Sequence, residues 1–475
     1  MNGSPIDTDY MVIGGGATAM AFVDTLLSES PDATVLMVDR HHRPGGHWND
    51  AYPFVRLHQP SHWYGVASRE LSHGRIDAVG FNAGLYGLAS GAEVLAYFDQ
   101  VMQQRFLPSG RVRWMPMSQH RADEGASGEV RHLVRSLISG LEQDIRVRKT
   151  VVDATHAQTA VPSTHPPSYE VVEGVECVPL NRLPQVARPH AAYTVVGSGK
   201  TGMDAVLWLL ESGVSPACVR WVMPRDAWLM NRANFQPGLE NFERSMGSTI
   251  EQLAAIAESS SVGELFARLE RGEELLRIDP AVQPTTYRCA VVSKGELAQL
   301  RRVEDVVRLG RLQRIETDRL VLDKGSVAAN PDTLYVDCSA SAIVHPPALP
   351  VFDAGRINLF MLRTCQPLFS AAVIAWVESH VADPAEKNAL CTVVPSPERP
   401  ADWLRMWAVS IANMGRWRAN GDLNAWLMQC RLNVTAVYMR GVTPDDADRM
   451  AMARSIGIKA GAAAARLPAL MAQTA

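Results

Sequence analysis

The chain of 475 residues is 47% hydrophobic and 20% charged with a formal charge of -4, the profile of an ordinary soluble globular protein large enough for about two to four domains. That charge gives no basic field for nucleic acid, and no apolar run reaches the ~18 residues of a membrane span. The seven cysteines (Cys177, Cys218, Cys289, Cys338, Cys365, Cys391, Cys430) show no CxxC pair and no metal-ligand spacing, so free thiols, a reducing cytoplasm and no metal are expected; with a short polar stretch before Tyr10, no signal peptide is expected either.

Tyr10-Met11-Val12-Ile13 reads as a buried strand, followed by the loop Gly14-Gly15-Gly16-Ala17-Thr18-Ala19, a helical stretch, and a second strand, Thr34 to Val38, ending at Asp39. In such a unit Gly14 makes the tight turn, Gly16 lets the backbone approach a pyrophosphate, and Ala19 lets helix and strand pack closely. The phosphates sit on the helix N-terminus. Asp39, about twenty residues on, stands where an acid accepts hydrogen bonds from a ribose hydroxyl. Strand, loop, helix and acid together make a dinucleotide fingerprint.

Arg40 and two histidines follow, then Gly45-Gly46-His47-Trp48 and a loop from Ala51 to Tyr64 rich in aromatics and histidines. The paired glycines permit close backbone approach, and Trp48, Tyr52 and Trp63 are candidates to wall a flat heteroaromatic ring or to cap the core. A helical pattern from Gly91 leads to a strand at Val112-Arg113-Trp114, and residues 115–150 read as a β-meander. Lys149 to His156 is an apolar strand ending in a small polar cluster with Thr155, suited to lie against a cofactor. Residues 157–190, rich in proline and poor in periodic apolar positions, read as a linker.

The opening pattern then recurs. Ala192 to Val196 is a strand, Gly197-Ser198-Gly199-Lys200-Thr201-Gly202 is a full GxGxxG, and a helical stretch follows. An ATPase P-loop would need glycine where Thr194 stands. The next strand, Val219 to Met223, ends without an acid and is followed by Pro224-Arg225. An arginine there can take a 2′-phosphate with charge-assisted hydrogen bonds, so this second site reads as one for NADPH.

Residues 240–305 are expected to be mostly helical, and Val306 to Leu309 with Arg319 to Leu322 suggest a hairpin. Thr333 to Ala340 repeats the sense of Val151 to His156, an apolar strand ending in Asp and small residues. Each glycine-loop unit is thus answered downstream by such a strand. Arg363-Thr364-Cys365-Gln366-Pro367 then leads into an apolar helix, whose N-terminus near Gln366 can stabilise negative charge on a cofactor. Residues 395–475 read as helical, with Trp403, Trp407, Trp417 and Trp426 taken as core or as a candidate homo-oligomer face. The Asn433-Val434-Thr435 sequon is taken as chance in a cytoplasmic chain.

This order of elements resembles the two-dinucleotide flavoproteins, and within them the flavin-containing monooxygenase superfamily, which includes the Baeyer–Villiger, N-hydroxylating and YUCCA-type enzymes. The most specific piece is the pattern of Gly45, Gly46, Trp48, Tyr52, Pro53, Arg56, Ser61 and Tyr64. The resemblance spans roughly residues 9 to 380 and implies an α/β fold with two Rossmann-like domains, the second inserted in the first. The boundaries are 1–165 (FAD domain, first part), 166–330 (NADPH domain, helical insertion at about 240–305), 331–394 (FAD domain, second part) and a helical region at 395–475. It implies FAD held by Gly14, Gly16, Ala19, Asp39, Arg40, Gly46, Trp48, His58, Thr155 and Gln366, and NADPH held by Gly197, Gly199, Lys200, Thr201, Gly202 and Arg225. The implied reaction reduces FAD with NADPH, activates O2 as a flavin C4a-(hydro)peroxide and oxygenates a small amine, sulfide or ketone.

Two departures stand out. Residues 170–190 lack the FxGxxxH fingerprint of the superfamily, and His58 lies about where relatives carry Asp or Asn, although YUCCA-type enzymes have a similar Leu-His-x-Pro segment. His58 is the candidate catalytic residue, as a hydrogen-bond donor or as an acid–base group near neutral pH. Two alternatives share the same sites: a reductase or dehydrogenase without oxygen transfer, and a nucleotide-binding relative without turnover. A disulfide reductase is disfavoured, because no paired cysteines lie near either cofactor-facing strand.

Overall fold

The computed structural model describes residues 4–124, 130–156, 159–340 and 349–474. Strands buried on both faces read as continuous apolar runs, and β1 (Ile6–Ile13) has its C-terminal half, Tyr10 to Val12, fully buried. From its end the chain turns through the glycine loop into α1 (Ala17–Glu29), then forms β2 (Val35–Val38), which pairs in parallel with β1. After α2 (Gly91–Val101), which starts at a Ser90/Glu93 capping box, β3 (Val112–Met115) extends the sheet beyond β2. The meander expected here is β4 (Ser118–Glu124), β5 (Val130–Ser136) and β6 (Glu142–Asp153), antiparallel to one another, with β6 returning parallel to β1.

A second parallel sheet follows. β7 (Cys177–Pro179) is its edge, and β8 (Ala192–Val196) leads through the second glycine loop into α3 (Lys200–Glu211) and β9 (Val219–Val222). Part of the stretch expected to be a linker is therefore structured, with a proline-containing strand at the edge, where a missing N–H is tolerated.

An insertion comes next: β10 (Ala227–Asn231), α4 (Phe242–Glu258), α5 (Val262–Arg271), β11 (Leu275–Leu276), β12 (Thr286–Val292) and α6 (Lys294–Leu300). Its small sheet has the order β11-β10-β12, and α6 starts at a Ser293/Glu296 capping box. β13 (Asp305–Val307) and β14 (Thr333–Asp337) then complete the second sheet in the order β7-β14-β8-β9-β13. Val306 and Val307 thus belong to a parallel edge strand rather than to a hairpin. The hairpin lies beyond Gly310, whose φ of 84° turns the chain, and pairs Leu312–Ile315 with Arg319–Leu322.

The chain returns to the first sheet as β15 (Arg356–Asn358), parallel to β6, and enters α7 (Pro367–His380), buried from Leu368 to Val377 and packed on α1. The tail adds α8 (Pro400–Ala419), α9 (Gly421–Gln429), α10 (Val434–Met439) and α11 (Ala447–Met471). No described helix is long and apolar enough to cross a membrane. The tail folds back over the body: the buried Arg431 donates to the carbonyls of His62, Tyr64, Val66 and Arg69, and α11 packs with α4 and α8.

The duplication seen in the sequence is geometric. Asp153 of β6 sits opposite Ile13 and Asp337 of β14 opposite Val196, in each case the last residue before the glycine loop. Each carboxylate accepts the backbone N–H and hydroxyl of the residue two further on, Thr155 or Ser339.

Arg232, fully buried, joins the insertion to the aromatic loop: Nε donates to the His58 carbonyl at 3.0 Å, Nη2 to the Val291 carbonyl at 3.2 Å, and Nη1 pairs with Glu296 at 2.8 Å. Arg232→Met leaves Glu296 buried without its partner and is expected to cost about 3–5 kcal/mol. Urea unfolding followed by circular dichroism measures that loss; an unchanged midpoint would show the ion pair to be dispensable.

Candidate active site: two glycine loops and an apolar cavity

Gly14 turns the chain with φ of 101°, and the N–H of Gly15 donates to the Asp39 carboxylate. Gly45 donates through its N–H to the Gly15 carbonyl at 2.8 Å, which brings the second glycine pair against the first. A Cβ on Gly46 would stand 2.9 Å from the Gly16 Cα, so the two loops meet glycine to glycine. Gly16 is the N-cap of α1, and Ala19 is fully buried behind it. The free N–H groups of the first turn of α1 are what a pyrophosphate needs, and the residues present fit an FAD diphosphate and ribose.

Asp39 is held from both sides, since its other oxygen accepts the backbone N–H of His41 at 2.7 Å and its ring Nδ1 at 2.8 Å. The far ring nitrogen of His41 reaches Asp50 at 2.8 Å. The Asp39 hydrogen bond, joined by Asp50, pushes the His41 pKa up to about 9 against the cost of burial. Arg40 is exposed at the cavity edge.

The second loop is built alike. Gly197 has φ of 126°, and a Cβ there would meet the Cys338 carbonyl at 2.5 Å. A Cβ on Gly202 would meet the Gly197 carbonyl oxygen at 2.0 Å, whereas one on Gly199 would meet nothing within 4 Å. Gly202 therefore serves helix packing and Gly199 leaves the approach to the helix open. Lys200 pairs with Asp204, one turn further along α3, and Thr201 is half-buried in its first turn. Arg225 is not free: its Nη1 lies 2.6 Å from Glu398, which also holds Arg288.

A cavity of about 940 Å³ opens from the first loop. Gly14, Gly16, Asp39, Arg40, Gly46, Trp48, His58, Thr155 and Gln366 all line it; Gly197, Gly199, Lys200, Thr201, Gly202 and Arg225 do not. Its far wall is apolar and aromatic, with Met230, Met246 and Tyr287 from the insertion and Trp403, Trp407 and Tyr438 from the tail. The tail tryptophans, read as core or as an oligomer face, divide: Trp417 donates to the Leu390 carbonyl inside the first core, while Trp403, buried in a second core cluster, and Trp407 also line the cavity.

The aromatic loop divides as well. Trp48 donates to the Tyr64 hydroxyl at 2.7 Å and Trp63 to the Phe235 carbonyl at 2.7 Å, all three at the cavity. Tyr52 turns the other way: its hydroxyl donates to Asp204 at 2.5 Å, so it braces the second domain and walls no ring in the cavity. Arg56 and Ser61 are also structural, donating to the Leu88 and Gly87 carbonyls. Asn433 of the sequon is buried, accepting from Arg363 and donating to the Leu427 carbonyl.

His58 accepts the Val291 N–H at Nδ1 and lines the cavity. Burial, with Lys200 and Arg232 nearby, pushes its pKa down to about 3, so the ring is neutral at physiological pH. A role as an acid–base group near neutrality does not fit this environment; with Nδ1 accepting, the proton resides on Nε2, which leaves hydrogen-bond donation.

Two features were missed in the sequence. Arg363 is buried, and its guanidinium stacks 3.8 Å from the Phe369 ring centroid and donates to Gln366 and Asn433, with no carboxylate partner among the described residues. It places a positive charge in the cavity wall beside the N-terminus of α7. Cys289 and Cys365 form a disulfide with Cα atoms 6.1 Å apart, and both line the cavity. This corrects the expectation of seven free thiols and removes the argument that no cysteines pair near the cofactor. Spacing could not show it, because 76 residues separate the two.

With this geometry the chain has the fold of the class B flavoprotein monooxygenases. A cyclohexanone-bound structure of cyclohexanone monooxygenase in its rotated conformation aligns with 82% of this chain and 91% of its own, with a TM-score of 0.50 and 13% identity. Cyclohexanone monooxygenase from Rhodococcus sp. Phi1 bound to NADP+ aligns over 98% of both chains, with a TM-score of 0.48 and 13% identity. By sequence, the chain belongs to the family of uncharacterized proteins from Mycobacterium tuberculosis (strain H37Rv) and Mycobacterium bovis, each 50% identical over 434 residues, 91% of this chain and 78% of theirs. No protein-family model matches it.

Because the folded pKa of His41 is about 9 and its ordinary value 6.5, its ion pairs stabilise the fold fully below about pH 6.5 and are lost as pH rises through 9. His41→Asn is therefore expected to be less stable than the wild type at pH 6, with the gap closing by about pH 10. Unfolding curves across that range test this; a constant gap would contradict it.

Proposed function

We propose that the chain is a cytoplasmic flavoprotein oxidoreductase that binds FAD at the first loop and NADPH at the second, and that it is a monooxygenase of a small organic substrate such as an amine, sulfide or ketone. The observation that carries this reading is the doubled unit, glycine loop plus Asp-ended strand, with the first copy opening on a large apolar cavity. When bound, the flavin supplies two-electron chemistry with nicotinamide and O2.

The residues of the chain have separable tasks. Asp39, Gly15 and Gly16 orient the adenosine and diphosphate end; Trp48 and Tyr64, locked by their hydrogen bond, shape the way inward. Arg363 and the N-terminus of α7 place positive charge where negative charge on a reduced cofactor or an acidic substrate can be held. The apolar wall excludes water, and His58 offers an N–H into that space. Arg225 serves a 2′-phosphate by exchanging its Glu398 partner for it.

The test is stopped-flow spectroscopy of the FAD-loaded protein. NADPH is expected to bleach the flavin under anaerobic conditions and to do so more efficiently than NADH, with Arg225→Ala reducing that preference. Adding O2 is expected to produce a transient absorbing species that decays faster in His58→Ala. Bleaching without a transient would make the protein a reductase or dehydrogenase; no bleaching would make it a nucleotide-binding relative without turnover.

A further inference from the structure

The Cys289–Cys365 pair joins two parts of the chain that otherwise meet across the cavity. Cys289 lies on β12 of the insertion, and Cys365 lies on the segment that delivers α7. Both residues adopt left-handed backbone conformations that L side chains rarely occupy, with φ of 56° at Cys289 and 55° at Cys365. At Cys289 the cause is local. β10 and β12 pair through Trp228 with Tyr287 and through Met230 with Val291, so three residues of β12 face one of β10. Such a bulge re-aims a side chain, here bringing the Cys289 sulfur to that of Cys365.

Both cysteines are only half-buried, and both line the cavity, so the bond is within reach of a small molecule entering it. Their surroundings are unequal. Cys365 immediately precedes Gln366, the N-cap of α7, where helix N–H groups favour a thiolate, and the Tyr287 hydroxyl lies 3.9 Å from its sulfur. Burial pushes the Tyr287 pKa up, so that hydroxyl keeps its proton, which it donates to the Met230 sulfur at 3.4 Å and can turn instead to a Cys365 thiolate. Cys289 lies in the middle of strand β12.

We propose that Cys289 and Cys365 form a reversible dithiol/disulfide couple that ties the insertion to the flavin side of the cavity when oxidised and releases it when reduced, the reductant being a small thiol of the glutathione type. A thiolate attacks the Cys289 sulfur, the bond between the two cysteines breaks, and Cys365 departs as the thiolate favoured by its setting. A second thiol then attacks the mixed disulfide on Cys289. In sum, two thiols lose two electrons and become one disulfide, while the protein disulfide gains two electrons and two protons and becomes two thiols. Other ties hold both ends of β12: Tyr287 N–H to the Glu398 carbonyl and Arg288 to the Glu398 carboxylate at its start, and Val291, bonded to His58 and Arg232 and paired with Met230, at its end. Release is therefore confined to the bulge between Tyr287 and Val291 and to the segment before α7. The proposal is independent of whether the protein is a monooxygenase.

Native protein purified without reductant is equilibrated in glutathione buffers of varied ratio, quenched in acid, alkylated and mapped by mass spectrometry. Expected are Cys289 and Cys365 linked in the oxidised sample, a smooth gain of two thiols at those positions as the buffer becomes reducing, and faster amide exchange at residues 288–290 and 361–366 in the reduced form. In Cys365→Ser a glutathione adduct is expected at Cys289. Two results would overturn the proposal: Cys289 and Cys365 already unlinked without reductant, or a link that resists every glutathione ratio until the protein is unfolded, which marks a purely structural crosslink. Both are read on the wild type, so the proposal stays testable if the variant does not fold.

Discussion

The first cradle depends on an absence of side chains. Gly16 and Gly46 come so close that a single added carbon on Gly46 would stand 2.9 Å from the neighbouring Cα, and this contact lets the loop after β2 close over the start of α1. Asp39 reinforces the closure by accepting from Gly15 on one side and from His41 on the other. Because the loops are fixed to each other, Trp48 and His58 further along the chain reach the same cavity as the helix N-terminus.

The second loop uses the same geometry for a different end. Its glycines pack against Cys338 and against each other, and its helix runs toward Asp204, which is engaged by Lys200 and Tyr52. The aromatic loop is the strap between the two units: Leu57 and Tyr64 enter the first core, Tyr52 the second, and Trp63 a small cluster with Tyr438 of the tail. The insertion and the tail add the apolar wall. On the proposed function, this division of labour gives nucleotide capture to the repeated units and substrate selection to the parts that are not repeated.

The α/β class and both glycine loops were legible in the sequence, because each step has its own local signal: a continuous apolar run, glycines at set offsets, and an acid at Asp39. The strand ends at Asp153 and Asp337 were legible for the same reason. The cavity wall was not, since Tyr287, Arg363 and Trp407 come from three distant segments and carry no shared pattern. The disulfide was hidden by its separation in the chain, and the role of Tyr52 by the fact that alternate aromatics in one loop serve different domains. His58 illustrates a different gap, because its proton affinity is lowered first by burial and then by Lys200 and Arg232, and neither its burial nor those neighbours can be read from the residues beside it in sequence.

The most direct measurement is FAD affinity of the apoprotein by fluorescence titration, in the wild type, Gly46→Ala and Gly199→Ala. The glycine contact predicts binding by the wild type and a loss of about 10- to 100-fold in Gly46→Ala, from roughly 1–3 kcal/mol of strain at a left-handed residue in a crowded cradle. Gly199→Ala, in the other loop, is expected to bind FAD as the wild type does. FAD binding that survives Gly46→Ala and fails in Gly199→Ala would contradict the assignment of the first loop to the flavin nucleotide.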